Sequence, residues 1–167
     1  ITLGNHNIVL GQSGFAAGAT NLIGRGGSNG VTLGSENVIN GKNGIAGGRA
    51  NNVSNLYSVA FGYGNKVKGK SSSALGYTNS LNDDSEFAAG VGNTLSGENA
   101  VAIGRANQSY GKSSTCIGYG NIVNKCVCGT AIGNVNHVYA NYAFAAGNKN
   151  TVKADAAGGL GFNLNVK

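Results

Sequence analysis

The stretch Tyr57–Val67 reads Tyr-Ser-Val-Ala-Phe-Gly-Tyr-Gly-Asn-Lys-Val, and 14 residues later Ser71–Leu81 reads Ser-Ser-Ser-Ala-Leu-Gly-Tyr-Thr-Asn-Ser-Leu. Both place a small residue two positions before a glycine, Asn three after it and an aliphatic residue five after it. Worked outward in both directions, the same frame recurs at Gly4, Gly18, Gly34, Gly48, Gly62, Gly76, Gly90, Gly104, Gly118, Gly133, Gly147 and Gly161. Neighbouring glycines are 14 residues apart, except 16 between Gly18 and Gly34 and 15 between Gly118 and Gly133. The chain is twelve copies of one unit with two short insertions, and such self-similarity outranks local secondary-structure signals.

The columns are tight. The small position holds Ala16, Ala46, Ala60, Ala74, Ala88, Ala102, Ala131 and Ala145, with Thr2, Thr32, Cys116 and Gly159 as exceptions. Asn fills its column in eleven units, from Asn7 to Asn150. The aliphatic column includes Val67, Leu81, Leu95 and Val123, and lapses once, at Ser109. A second turn follows, often marked by glycine, as at Gly41, Gly69, Gly97 and Gly111.

A unit of 14 residues accommodates two strands of about four residues and two tight turns, but not a helix, a strand and their connections. The composition agrees: of 167 residues 30 are Gly and 25 Asn, and Pro, Met and Trp are absent. Such a chain is a poor helix former, while its β-branched residues and Gly/Asn turns suit strands. Stacked units predict an all-β fold, a parallel β-solenoid of about twelve 14-residue coils spanning 1–167 as one repetitive domain. Twelve coils spaced ~4.8 Å apart make a rod roughly 55 Å long. No apolar run approaches the roughly 20 residues of a membrane-spanning helix. No leader is evident, so a signal peptide is expected to have been removed or to lie outside this chain.

Strand alternation decides which columns face inward. A narrow coil has room for the Ala column and the aliphatic column of the second strand, so Ala60, Ala74, Ala88, Ala102, Cys116, Ala131, Val67, Leu81, Leu95 and Val123 are expected to form its core. The first strand then carries a second apolar face outside its own coil. That face includes Phe15, Val31, Leu33, Val59, Phe61, Phe87, Val101, Ile103, Ile117, Ile132 and Phe144. Where Phe takes the first place of a pair, Ala takes the second, as in Phe15/Ala17, Phe87/Ala89 and Phe144/Ala146. This trade in volume fits a packed face rather than a solvated one. A strand apolar on both faces needs cover on both, and further copies of the chain are the natural cover, which predicts a homo-oligomer. The competing reading puts the bulky column inside the coil, turns Ala to solvent and permits a monomer. The Asn column reads as structural, through left-handed turn geometry and ladders between stacked coils.

Tyr57–Gly62 (Tyr-Ser-Val-Ala-Phe-Gly), Asn99–Gly104 (Asn-Ala-Val-Ala-Ile-Gly) and Ser71–Gly76 (Ser-Ser-Ser-Ala-Leu-Gly) resemble the head repeat of trimeric autotransporter adhesins. The YadA-like head repeat reads Asn-Ser-Val-Ala-Ile-Gly within a 14-residue period, and the resemblance runs in register along nearly the whole chain. It implies a left-handed parallel β-roll, three parallel chains around one axis, and display on a bacterial cell surface. The stalk and outer-membrane anchor that follow such heads have no counterpart here, neither heptads nor amphipathic barrel strands. The chain departs from the family repeat in its excess of Asn over Ser and Ala and in its cysteines.

The insertions fall in Arg25–Gly30 and Asn124–Gly129, making Arg25, Ser28, Asn29, Lys125 and Val127 candidate recognition-loop residues, with tolerated insertion as the alternative. The column after the glycine carries Arg49, Tyr63, Tyr77, Arg105 and Tyr119. Tyr63 and Tyr77 should stack on successive coils; pointed outward, this stripe has hot-spot chemistry, and the alternative is packing within turns. Gly64–Ser71 matches the phosphate-loop pattern but lacks its strand–loop–helix setting. Cys116 in the small column reads as a buried thiol. Cys126 and Cys128, with His6 and His137, show no metal-ligand spacing. No catalytic constellation stands out, and the six acids Glu36, Asp83, Asp84, Glu86, Glu98 and Asp155 read as turn residues for the most part. Net charge is +6 but scattered, with Lys66, Lys68 and Lys70 the densest cluster, which argues against a nucleic-acid binder.

The expected function is a non-enzymatic adhesin head without cofactor or metal, a homotrimer that binds host surface or extracellular-matrix proteins and does not itself insert into a membrane. Family resemblance offers collagen, fibronectin, laminin and CEACAM-type receptors. The rivals are a structural segment of a phage or surface fibre, and an ice- or polysaccharide-binding solenoid.

Overall fold

A computed structural model describes residues 1–167 and contains strands and turns only. The chain forms two compact units, Ile1–Ser85 and Glu86–Lys167, each a parallel β-solenoid of six coils. Every coil has a long strand ending just past the repeat glycine and a two-residue short strand after the Asn. In the first unit the long strands are Thr2–Asn5, Phe15–Ala19, Val31–Ser35, Ile45–Arg49, Val59–Tyr63 and Ser73–Tyr77. Its short strands are Ile8–Val9, Leu22–Ile23, Val38–Ile39, Asn52–Val53, Lys66–Val67 and Ser80–Leu81. The second unit repeats the pattern from Phe87–Val91 to Asn165–Val166. Each strand pairs in parallel with its counterpart one coil on, column against column, as in Ala60↔Ala74 and Gly62↔Gly76, or Ala102↔Cys116 and Ser109↔Val123.

The strands are unequal, four or five residues against two, where the sequence suggested two of about four. The reason lies in the Asn column. Asn107 Oδ1 accepts the backbone N–H of Asn121 at 3.0 Å and its Nδ2–H at 3.1 Å. Asn107 Nδ2 in turn donates to the Gly118 carbonyl at 2.9 Å and the Ile103 carbonyl at 3.1 Å, and Asn93 Oδ1 lies 3.1 Å away. The side chain thus does the work of a further strand residue. The same ladder links Asn7, Asn21, Asn37, Asn51, Asn65 and Asn79 in the first unit. In the second unit it ends where Leu164 replaces Asn and offers only its backbone N–H, 3.0 Å from Asn150 Oδ1.

Asn does not itself take the left-handed conformation expected of it. The residue before it does: Glu36 at φ 58°, Ala50 at 56° and even the β-branched Val135 at 53°. The repeat glycine is also left-handed, at φ 119° for Gly104, and a Cβ there would collide with the Gly118 carbonyl oxygen, the atom that Asn107 grips. Glycine and Asn are one device. The glycine lets two coils approach, and the Asn ties the exposed carbonyl.

The interior is as narrow as the sequence implied. Ala16, Ala60, Ala102, Ile39, Val67, Leu81 and Val123 are fully buried. At the aliphatic lapse, Ser109 Oγ lies 2.6 Å from Ser114 Oγ, and Ser114 donates to the Gly111 carbonyl. The volume lost at Ser109 is returned by Cys116, larger than Ala, whose thiol lies 3.4 Å from the Gln108 carbonyl. Glu86, among the acids read as turn residues, is buried and accepts the Gly97 N–H at 3.2 Å.

Replacing Asn107 by Ala strands the carbonyls of Ile103 and Gly118 together with the Asn121 donors, and is expected to cost about 3 kcal/mol in urea unfolding. Thr32, in the Ala column, buries a hydroxyl that has no partner. Thr32→Val keeps the shape without the polar atom and is expected to raise stability by roughly 1 kcal/mol, read as a higher unfolding midpoint.

Candidate adhesion surface

The surface offers no pocket, and its outward side chains form faces and stripes. With the Ala column turned inward, the residues one and three before each glycine point out of the coil. Leu33, Phe61 and Ile103 are 43%, 42% and 40% exposed, and Ile117, Ile132 and Phe144 are comparable. Phe15, Val31, Val59, Phe87 and Val101 are half-buried by their neighbours. Leu75 joins this face, though the sequence reading passed over it. Packing within the face is specific: a side chain at Gly47 would run into the Phe61 ring of the next coil.

The column after the glycine continues along the rim of this face. Tyr63 and Tyr77 stack with ring centroids 5.0 Å apart and planes 12° from parallel. The Arg105 guanidinium lies 5.9 Å from the Tyr119 ring centroid, a cation–π contact. Arg49 is held instead by Glu36 of the preceding coil, at 3.1 Å. The stripe is exposed throughout.

The insertions resolve differently from one another's neighbours. In Gly24–Gly30 the turn closes through Gly27 N–H to the Gly24 carbonyl at 2.9 Å, pushing out Arg25 and Gly26. Ser28 and Asn29 are already back in the regular turn, where Asn29 Nδ2 donates to Asn43 Oδ1 at 2.9 Å. In Asn124–Gly129 the extra residue is Lys125, left-handed at φ 51° and exposed. Val127 sits in register, bridging to Lys112 and donating its backbone N–H to Asn141 Oδ1 at 2.9 Å. Each insertion therefore presents one exposed cation.

The cysteines separate by burial. Cys116 is enclosed, and burial pushes its thiol up to about 11. Burial raises the Cys126 thiol as well, while Cys128 is exposed. The phosphate-loop look-alike runs through the short strand Lys66–Val67 into a turn with Ser71 at φ 55°, with no helix behind it.

These features define a class: a parallel β-solenoid in each unit, built from repeated outward columns. Residues 40–65, 54–79 and 96–121 match the family model of the YadA head domain repeat (2 copies), so the chain carries YadA-like head repeats, and its other coils keep the same columns. No curated protein matches the chain.

The paired replacement at Ser109 and Cys116 predicts coupling. Ser109→Val overpacks against Cys116 and Cys116→Ala leaves a void, so each should destabilise by about 1 kcal/mol or more, while the double variant should regain much of the loss. The raised Cys116 thiol has a pH signature. The unfolded thiol ionises near its ordinary value of 9.0 but the folded one only near 11, so its contribution is whole below pH 9 and is lost as pH rises towards 11. The alkaline fall in melting temperature should be smaller in Cys116→Ala.

Proposed function

We propose that the chain is the head of a trimeric autotransporter adhesin, displayed at the bacterial surface, in which three parallel copies close their long-strand faces around a common axis. The observation that carries this reading is the outward apolar ladder. The coil already fills its own interior with Ala and aliphatic columns, yet a second row of Val, Ile, Leu and Phe leaves each coil on the other side. Contiguous apolar surface of this kind calls for a protein partner. Three parallel copies around one axis meet through heterologous contacts, and the same in-register face on every copy lets such a ring close. With that face closed, the Tyr63/Tyr77 stack, Arg105/Tyr119 and Arg49 lie at its rim, where they supply contacts to a host surface macromolecule such as collagen, fibronectin, laminin or a CEACAM-type receptor. Three copies of a repeated stripe favour many weak contacts, so avidity outweighs the affinity of one chain.

Light scattering on the purified chain is expected to give the mass of three chains. Ile103→Asp with Ile117→Asp places carboxylates on the closed face and should give monomers whose circular dichroism remains that of β-structure. A stable wild-type monomer overturns the trimer. For adhesion, Tyr63→Ala with Tyr77→Ala should weaken attachment to the bound matrix protein or receptor by about tenfold or more while the trimer mass is unchanged. Undiminished attachment removes the stripe from the contact.

A further inference from the structure

The positive charge that reads as scattered along the sequence is sorted by the fold. In the unit Ile1–Ser85, the short strands and the turns leading from them carry Arg25, Lys42, Lys66, Lys68 and Lys70, all exposed, on three of four successive coils. No acid shares that side of those coils. Of the unit's acids, Glu36 lies at the opposite turn and pairs with Arg49, while Asp83 and Asp84 come one coil later. Lys66 leaves the short strand outward and Lys68 and Lys70 follow it into the turn, all three exposed, while Val67 and Gly69 between them are buried. None of the five cations is in an ion pair.

Polar and flat groups lie between the charges. One coil before the lysine row, Ser54 Oγ donates to Asn52 Oδ1 at 2.9 Å, which leaves the Asn52 amide hydrogens for another acceptor. Tyr57 presents an exposed ring in the same coil. The patch stops at Asp84, whose Oδ1 accepts the Lys70 backbone N–H at 2.7 Å.

We infer that this side of the first unit is a docking surface for a sulfated polysaccharide chain. Charge complementarity selects an anion. Cations spread over four coils, roughly 14 Å along the stack, and the lack of a pocket select a polymer over a single ion. Lysines act as point charges suited to sulfate and carboxylate groups on a flexible chain, while Asn52, Ser54 and the Tyr57 ring match sugar hydroxyls and ring faces. Single-stranded nucleic acid wants successive rings to stack on, and this side of these coils offers one. The surface is separate from the long-strand apolar face and the Tyr/Arg stripe, so the inference stands whether or not the chain trimerises.

The test uses the whole chain and heparin as the probe. Retention on immobilised heparin at low ionic strength is expected, with affinity falling steeply as salt rises. Lys66→Gln/Lys68→Gln/Lys70→Gln should weaken binding by about tenfold or more and flatten the salt dependence. Lys125→Gln/Lys149→Gln/Lys153→Gln removes the same charge from the second unit, outside the patch, and should leave binding within about twofold of wild type. Circular dichroism checks that both variants stay folded, as exposed side chains predict. Equal losses in the two triple variants, no retention at low salt, or unchanged binding to desulfated heparin would each overturn the proposal. Duplex DNA of matched charge is expected to bind more weakly than heparin; equal binding would reassign the patch to polyanions at large.

Discussion

The bond between the Asn side chain of one coil and the glycine carbonyl of the next is the constraint on which the rest depends. It needs a residue at a φ near 110°, which favours glycine, and an approach so close that a Cβ would strike that oxygen. It also needs an amide, since only Asn gives two donors and an acceptor over so short a reach. Because Asn107 and its equivalents are fully buried, the ladder adds many charge-free hydrogen bonds in a setting where leaving one unmade is costly. The ladder also fixes register. A slip of one residue would bring a bulky residue such as Leu75 or Tyr77 opposite the glycine and break every rung at once.

A coil held together this way has very little interior. Ala, Val, Ile and small turn residues fill it, and no space remains for a binding cavity. Whatever the molecule recognises must meet it on the outside, where the repeat holds backbone positions constant and leaves side chains to vary. The outer columns show that division. The long-strand face is apolar, its rim carries paired rings and guanidinium groups, and the short-strand side of the first unit gathers cations. Three chemistries share one backbone.

Most of the fold was legible because its period is in the sequence and its columns obey strand alternation. The coil core followed from the spacing of Ala60, Ala74 and Val67 alone, and so did the outward face of Phe61 and Ile103. What escaped was cooperative or three-dimensional. The two-residue short strand depends on an Asn side chain replacing backbone pairing, which no propensity records. The exchange of volume between Ser109 and Cys116 links residues seven apart in different columns. The cation patch joins Arg25 to Lys70 across coils, and a linear count of charges cannot register it. The insertions misled in a simpler way, since the sequence marks where extra residues enter but not which of them leaves the stack. Structure assigns that to Arg25 and Lys125, while Ser28, Asn29 and Val127 stay in register.

Both insertions enter at the turn between the short strand and the next long strand, and both rejoin the frame before the following Ala column. That turn is where the chain tolerates change. Everywhere else an odd number of added residues would exchange inward for outward columns. Adding or removing a whole 14-residue unit disturbs neither, because each coil offers its neighbour the same edge. Heritable change in such a gene can therefore proceed by duplication and loss of complete repeats, with point substitutions rewriting the outer columns afterwards. Length becomes a trait that selection can adjust one rung at a time, at about 4.8 Å per rung.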